Sequence, residues 1–105
     1  MKAKTTTVIR GVLEEELERN DRMKKRYLEE MDKLPKGSIV TRKLGKQEYY
    51  YLTYRENRKV IAKYIGKKDV TDIIQLQSNI NKRKHLQDVI KNLKQEEKEI
   101  RKVLR

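Results

Sequence analysis

The chain has no cysteine, one proline and one histidine in 105 residues. Without cysteine there is no disulfide framework, no thiol nucleophile and no thiolate metal site. A reducing cytoplasm suits such a chain, and a cytoplasmic location is expected. The single histidine, His85, has no second histidine with which to build a two-histidine metal site, so a surface or structural role is assigned to it. No apolar run approaches the length of a membrane span, and no membrane association is expected. The opening residues, MKAKTTTVIRGVLEEELE, lack the continuous apolar stretch of a secretory signal. Apolar residues are themselves scarce, at 35% against 42% charged. That supply is thin for a compact globule and suits an elongated helical protein with a narrow apolar seam.

What the chain has in excess is positive charge, a net +12. Residues 1–34 carry nine basic and eight acidic groups, and residues 69–105 carry nine and six. Residues 35–68 carry ten basic groups and two acidic ones. Two thirds of the excess therefore lies in the middle third. A localised positive field attracts and orients polyanions, whereas an evenly mixed surface serves solubility. The same stretch holds five of the six tyrosines: Tyr49, Tyr50, Tyr51, Tyr54 and Tyr64. Aromatic and basic residues interleaved on strands can grip nucleic acid, either in a duplex groove or by stacking unpaired bases.

The periodicities predict an α+β fold in the order α-β-β-β-α(-α), a single domain over 1–105. A first helix is expected over 7–33, with apolar positions Val8, Ile9, Val12, Leu13, Leu17, Met23, Tyr27, Leu28, Met31 and Leu34, most of them at spacings of three and four. Thr5, Thr6 or Thr7 would cap its start, and Pro35 would end it. A three-stranded antiparallel meander follows over 38–65. Gly45-Lys46 forms its first turn and Glu56-Asn57-Arg58 its second. A last helical segment spans 69–105, with Asp69 as its cap. Its apolar phase breaks between Ile80 and Leu86, so it is either one helix with a stutter or two helices. From Leu86 onward the heptad Leu86, Ile90, Leu93, Glu97, Ile100, Leu104 emerges. The expected architecture is a long antiparallel, coiled-coil-like helix pair with the sheet inserted. The longer last helix would overhang the first and leave a seam for self-association, as a homodimer or higher oligomer.

Alternation along the strands sorts the side chains into two faces. Tyr50, Leu52, Tyr54, Val60, Ala62 and Tyr64 are expected in the core. Tyr49, Tyr51, Thr53, Arg55, Lys59 and Lys63 are expected outside. With Arg42, Arg58, Lys67 and Lys68, these outward residues other than the tyrosines and the threonine would meet phosphates or guanine edges. Tyr49, Tyr51 and Thr53 would meet backbone or thymine methyls. Arg55 and Arg58 suit base readout, because arginine offers a bidentate fork and lysine does not.

Nothing comparable marks a catalytic centre. Glu14, Glu15, Glu16 and Glu18, and later Glu96, Glu97 and Glu99, lie among basic residues on helices, where i to i+4 pairing accounts for them. Gly66-Lys67-Lys68 lacks the upstream glycine and the following Ser or Thr of a phosphate-binding loop. No cofactor, no metal and no enzymatic activity are expected.

The run Leu34-Pro35-Lys36-Gly37-Ser38, then Tyr49 to Arg55, then Lys59 to Lys68, resembles a small uncharacterised domain of bacterial, archaeal and phage proteins. In that domain a helix precedes a tyrosine-rich meander and a second helix follows it. The YYYL-x-YR and KYIG elements also resemble the N-terminal segment of some insertion-sequence transposases. The meander is distantly similar to the three-stranded DNA-binding sheet of phage integrase arm-binding domains. The resemblance covers about residues 30–70. It implies a DNA-related context, and 105 residues leave no room for a transposase or recombinase catalytic domain. The expected role is a small, non-enzymatic binder of nucleic acid, with double-stranded DNA favoured. The alternative is a protein-interaction module, such as a phage-encoded inhibitor or accessory factor that docks a nucleic-acid enzyme.

Overall fold

A computed structural model describes the backbone of residues 2–105 and side chains from Thr7 onward. Helix α1 spans Lys2–Asp32, strands β1, β2 and β3 span Ser38–Leu44, Gln47–Glu56 and Lys59–Lys67, and helix α2 spans Ile74–Leu104. The three strands form one antiparallel sheet in the order β1-β2-β3. The order α-β-β-β-α is thus the expected one. No helix among the described residues is long and apolar enough to cross a membrane.

The helix boundaries correct three expectations. α1 starts before the threonines, which lie inside it and do not cap it. α2 starts at Ile74, and its cap is Asp72, whose Oδ1 accepts a 2.9 Å bond from the Ile74 N–H. Asp69 falls in the preceding turn. Both helices are 31 residues long, so the last does not exceed the first.

α2 is one continuous helix through the break in apolar phase. Gln75 donates to Asn79 and Gln77 to Asn81, at 3.0 and 2.9 Å. These i to i+4 bonds support the first turns of the helix, ahead of the break. The break also has a tertiary reason. The chain divides into two compact units, residues up to Lys33 with His85–Arg105, and Leu34–Lys84. Ile80, only 1% exposed, belongs to the second unit, whereas Leu86 belongs to the first. The stripe changes phase where the helix passes from one unit to the other.

In the first unit the two helices run antiparallel. Arg10 donates to the Leu104 carbonyl at 2.9 Å, and Asn20 donates to the Leu93 carbonyl at 2.8 Å. α2 buries Leu86, Ile90, Leu93 and Ile100, the expected heptad. α1 answers with Leu13, Leu17, Asn20, Lys24, Tyr27 and Met31, also at alternating steps of four and three. Two of these six are polar, and an apolar search passes over them. Asn20 is 2% exposed, and its Oδ1 has no partner. A buried asparagine in a helical seam fixes register at a cost in stability. Val8, Ile9 and Val12, expected in the apolar stripe, are instead exposed.

Lys24 pairs with Glu97, and Arg101 donates to the same carboxylate at 3.0 Å. Lys24 first, then Arg101, hold the Glu97 carboxyl below the ordinary glutamate range. A depressed carboxyl stabilises the fold above its unfolded value, and the gain is lost as pH falls through the folded value. The melting temperature of this helix pair should therefore fall on acidification below the ordinary glutamate range. Glu97→Gln should cost about 1 kcal/mol at neutral pH and flatten that acid limb. Thermal melts of both proteins from pH 7 to pH 3 check this.

Candidate nucleic-acid interface

The geometry of the sheet begins with its two turns. Leu44 pairs with Gln47 across Gly45-Lys46, and Gly45 has φ 64°. A two-residue loop with its first residue left-handed matches a type II′ turn. Glu56 pairs with Lys59 across Asn57-Arg58, whose φ values are 50° and 67°. Two successive left-handed residues make a type I′ turn, whose twist matches the flanking strands. The second loop thus has two residues, one fewer than expected.

That one residue decides the faces. Residues directly opposed in an antiparallel pair point to the same side, and a slip of one exchanges the sides. Arg55 pairs with Val60, Thr53 with Ala62 and Tyr51 with Tyr64. Val60, Ala62 and Tyr64, expected in the core, therefore share a face with Tyr49, Tyr51, Thr53 and Arg55. Lys59 and Lys63, expected beside those residues, lie on the opposite face with Tyr50, Leu52, Tyr54 and Ile61. A bulge then makes a second change. Tyr51 pairs with Tyr64 but Tyr50 pairs with Gly66, leaving Ile65 as the extra residue. Beyond it Tyr49 pairs with Lys67, which brings Lys67 onto the tyrosine face. β1 adds Val40 opposite Tyr51 and Arg42 opposite Tyr49.

The tyrosine face is an interlocked aromatic cluster. The Tyr64 ring lies 6.1 Å from Tyr49, tilted 51°, and 5.7 Å from Tyr51 in an edge-on arrangement. The Arg42 guanidinium stands over the Tyr51 ring at 5.0 Å. Such contacts favour a fixed platform over independent side chains. The face is also open. Tyr64, Leu44 and Val60 are 55%, 62% and 67% exposed. On the other face Ile39, Tyr50, Leu52, Tyr54 and Ile61 are half-buried, and Lys36 lies over the Tyr54 ring at 5.6 Å.

Charge separates the two faces further. Arg42, Arg55 and Lys67 occupy the tyrosine face, and the only strand carboxylates, Glu48 and Glu56, point to the other side. There Glu48 sits opposite Lys43 and Glu56 opposite Lys59. Lys68 is drawn into a 2.8 Å ion pair with Glu48. Their mutual hydrogen bond holds the Glu48 carboxyl below and the Lys68 amine above their ordinary ranges. Among the described residues, the other ion pairs lie on the helices: Arg10–Glu14, Arg19–Glu16, Lys24–Glu97, Lys25–Asp21, Arg26–Glu30 and Arg101–Glu97. None involves Arg42, Arg55, Arg58, Lys59, Lys63 or Lys67. On α1 Arg10, Arg19, Lys24, Lys25 and Arg26 are ion-paired, whereas the sheet leaves Arg42, Arg55 and Lys67 exposed and outside any ion pair.

The structure thus gathers Arg42, Tyr49, Tyr51, Thr53, Arg55 and Lys67 on one face, and adds Tyr64. It places Arg58 at the hairpin tip, Lys59 and Lys63 on the opposite face, and Lys68 in an ion pair. The two-residue loop Asn57-Arg58 was the signal that could have assigned Tyr64 correctly. Among the described residues no three His, Asp or Glu side chains gather where they could hold a metal ion.

A family model described as a domain of unknown function, DUF6788, matches residues 13–75. The match runs from the first half of α1 through the whole sheet to the start of α2. No curated protein and no solved structure matches the chain.

Proposed function

For this chain, which belongs to the DUF6788 family of domains, we propose a non-enzymatic role in binding double-stranded DNA through the tyrosine face of its sheet. One observation carries this reading. Three cations without ion pairs stand on an open, carboxylate-free aromatic face, interleaved with its tyrosines. A polyanion supplies the missing charge. Arg42, Arg55 and Lys67 then meet phosphates, and Tyr49, Tyr51, Thr53 and Tyr64 line the contact between them. The resemblance of the YYYL-x-YR and KYIG elements to transposase N-terminal segments points the same way.

The ring geometry favours duplex over single strand. Base stacking needs open ring faces. Here Tyr51 is covered by Arg42 and packed in a T-shaped pair with Tyr64.

Fluorescence anisotropy with a 20-base-pair duplex tests the reading. With these three phosphate contacts, affinity should drop roughly fortyfold between 50 and 200 mM salt. A single-stranded 20-mer should bind more weakly than the duplex. Absence of duplex binding at 50 mM salt, with the fold intact by circular dichroism, would contradict it. That outcome would favour a second reading, docking to an acidic protein surface, for which exposed Leu44 and Val60 on the same face speak. Exposed Val8, Ile9 and Val12 on α1 and Val103 on α2 support self-association through the helices.

A further inference from the structure

The tip of the β2–β3 hairpin carries a residue its backbone does not favour. In a type I′ turn both central residues are left-handed, and the sequence preference is Asn followed by Gly. Asn57 conforms, with φ 50°. The next position, at φ 67°, holds Arg58. A side chain there strains the backbone, which glycine would relieve. Arg58 is exposed and enters no ion pair, so no contact within the described residues compensates for the strain. Residues held in such conformations cluster at functional sites. Three positions earlier on the same hairpin, Arg55 marks the end of the tyrosine face.

We propose that this hairpin tip is the base-reading element, with Arg58 held left-handed so that its guanidinium reaches a guanine edge in duplex DNA. The inference rests on the reading of the tyrosine face as the duplex-binding surface, and divides the work within it. Arg42, Arg55 and Lys67 hold the backbone from the sheet. Arg58 stands on the narrowest part of the element, beyond the sheet's last cross-strand pair, where entry into a groove is least obstructed. A phosphate contact would be served by a lysine on a pliant loop. A guanine edge calls for the planar fork of arginine presented at a fixed angle. Two consecutive left-handed residues closing a paired hairpin fix the direction in which the Arg58 side chain leaves the backbone.

The test uses the full chain and two alternating 20-base-pair duplexes, one all G·C and one all A·T. The unsubstituted chain should bind the G·C duplex about tenfold more tightly. Arg58→Lys keeps the charge and the strain, and should lose that preference while holding A·T affinity within about threefold. Arg58→Gly should lose the preference and raise the melting temperature by about 5 °C. Failure of the unsubstituted chain to bind either duplex at 50 mM salt would overturn both readings. Duplex binding without a G·C preference, or a preference that survives Arg58→Gly, would overturn the assignment of Arg58 and leave the face intact.

Discussion

Replacing Arg42, Arg55 and Lys67 together by alanine should weaken duplex binding by about two to three orders of magnitude at physiological salt. The three side chains lie on one face of the sheet, on three different strands. Each is free of ion pairs. Removing them takes away the charge available to displace counterions from DNA, and the salt slope should flatten by about three. Stability should change little. Arg42 loses its place over Tyr51, worth about 0.5–1 kcal/mol at an exposed site. Arg55 and Lys67 are exposed and should contribute within about 0.5 kcal/mol. A loss of binding with the melting temperature nearly unchanged separates a functional role from a structural one.

Gly37→Ala should have the largest effect on stability. Gly37 has φ 110°, a conformation that side chains rarely adopt. A Cβ added there would stand 2.2 Å from the Thr53 carbonyl oxygen and 3.0 Å from Tyr54 Cβ. The first clash is with backbone in the middle strand, which cannot move without disturbing its pairing to β1. Strain and overlap together should cost at least about 3 kcal/mol. The loss should appear in the unit formed by Leu34–Lys84, which contains five of the six tyrosines. Tyrosine fluorescence should therefore report an earlier transition in the variant. Gly45→Ala provides the contrast. Gly45 is also left-handed, at φ 64°, but an added Cβ there meets nothing within 4 Å. Its cost should be only about 1 kcal/mol. The pair also gives a physical reason for the Leu34-Pro35-Lys36-Gly37-Ser38 run. Proline stops the helix, and glycine lets the chain pass tightly against the middle strand.

Much of this fold is legible from local chemistry. Pro35, Gly45 and Asn57 mark real boundaries, and the apolar heptad from Leu86 is the buried stripe of α2. What local chemistry does not carry is the phase between strands. Alternation along β2 and along β3 is each read correctly, but their relation depends on whether the loop holds two residues or three. Glu56 can pass for a turn residue, and doing so exchanges Tyr64 for Lys63. The bulge at Ile65 adds a further shift that alternation cannot encode, and it places Lys67 beside Tyr49. The helical seam shows a similar limit. Asn20 and Lys24 occupy core positions of α1 because Leu93 and Glu97 of α2 give them partners 73 residues away. A search for apolar repeats selects Val8, Ile9 and Val12 instead, which the structure leaves exposed.

The same correction sharpens the claim about function, because it separates two explanations of a basic protein that binds DNA. Net charge alone would make every lysine and arginine of the sheet equivalent. The face-specific account does not. Lys43, Lys59 and Lys63 lie opposite the tyrosine face, two of them across from a carboxylate. Their triple replacement by alanine removes the same formal charge as the replacement of Arg42, Arg55 and Lys67. The decisive measurement is duplex affinity at 150 mM salt for these two charge-matched triple variants, each confirmed as folded. The account predicts that Arg42, Arg55 and Lys67 matter at least about tenfold more than Lys43, Lys59 and Lys63. Equal losses in the two variants would contradict it and return the binding to undirected charge.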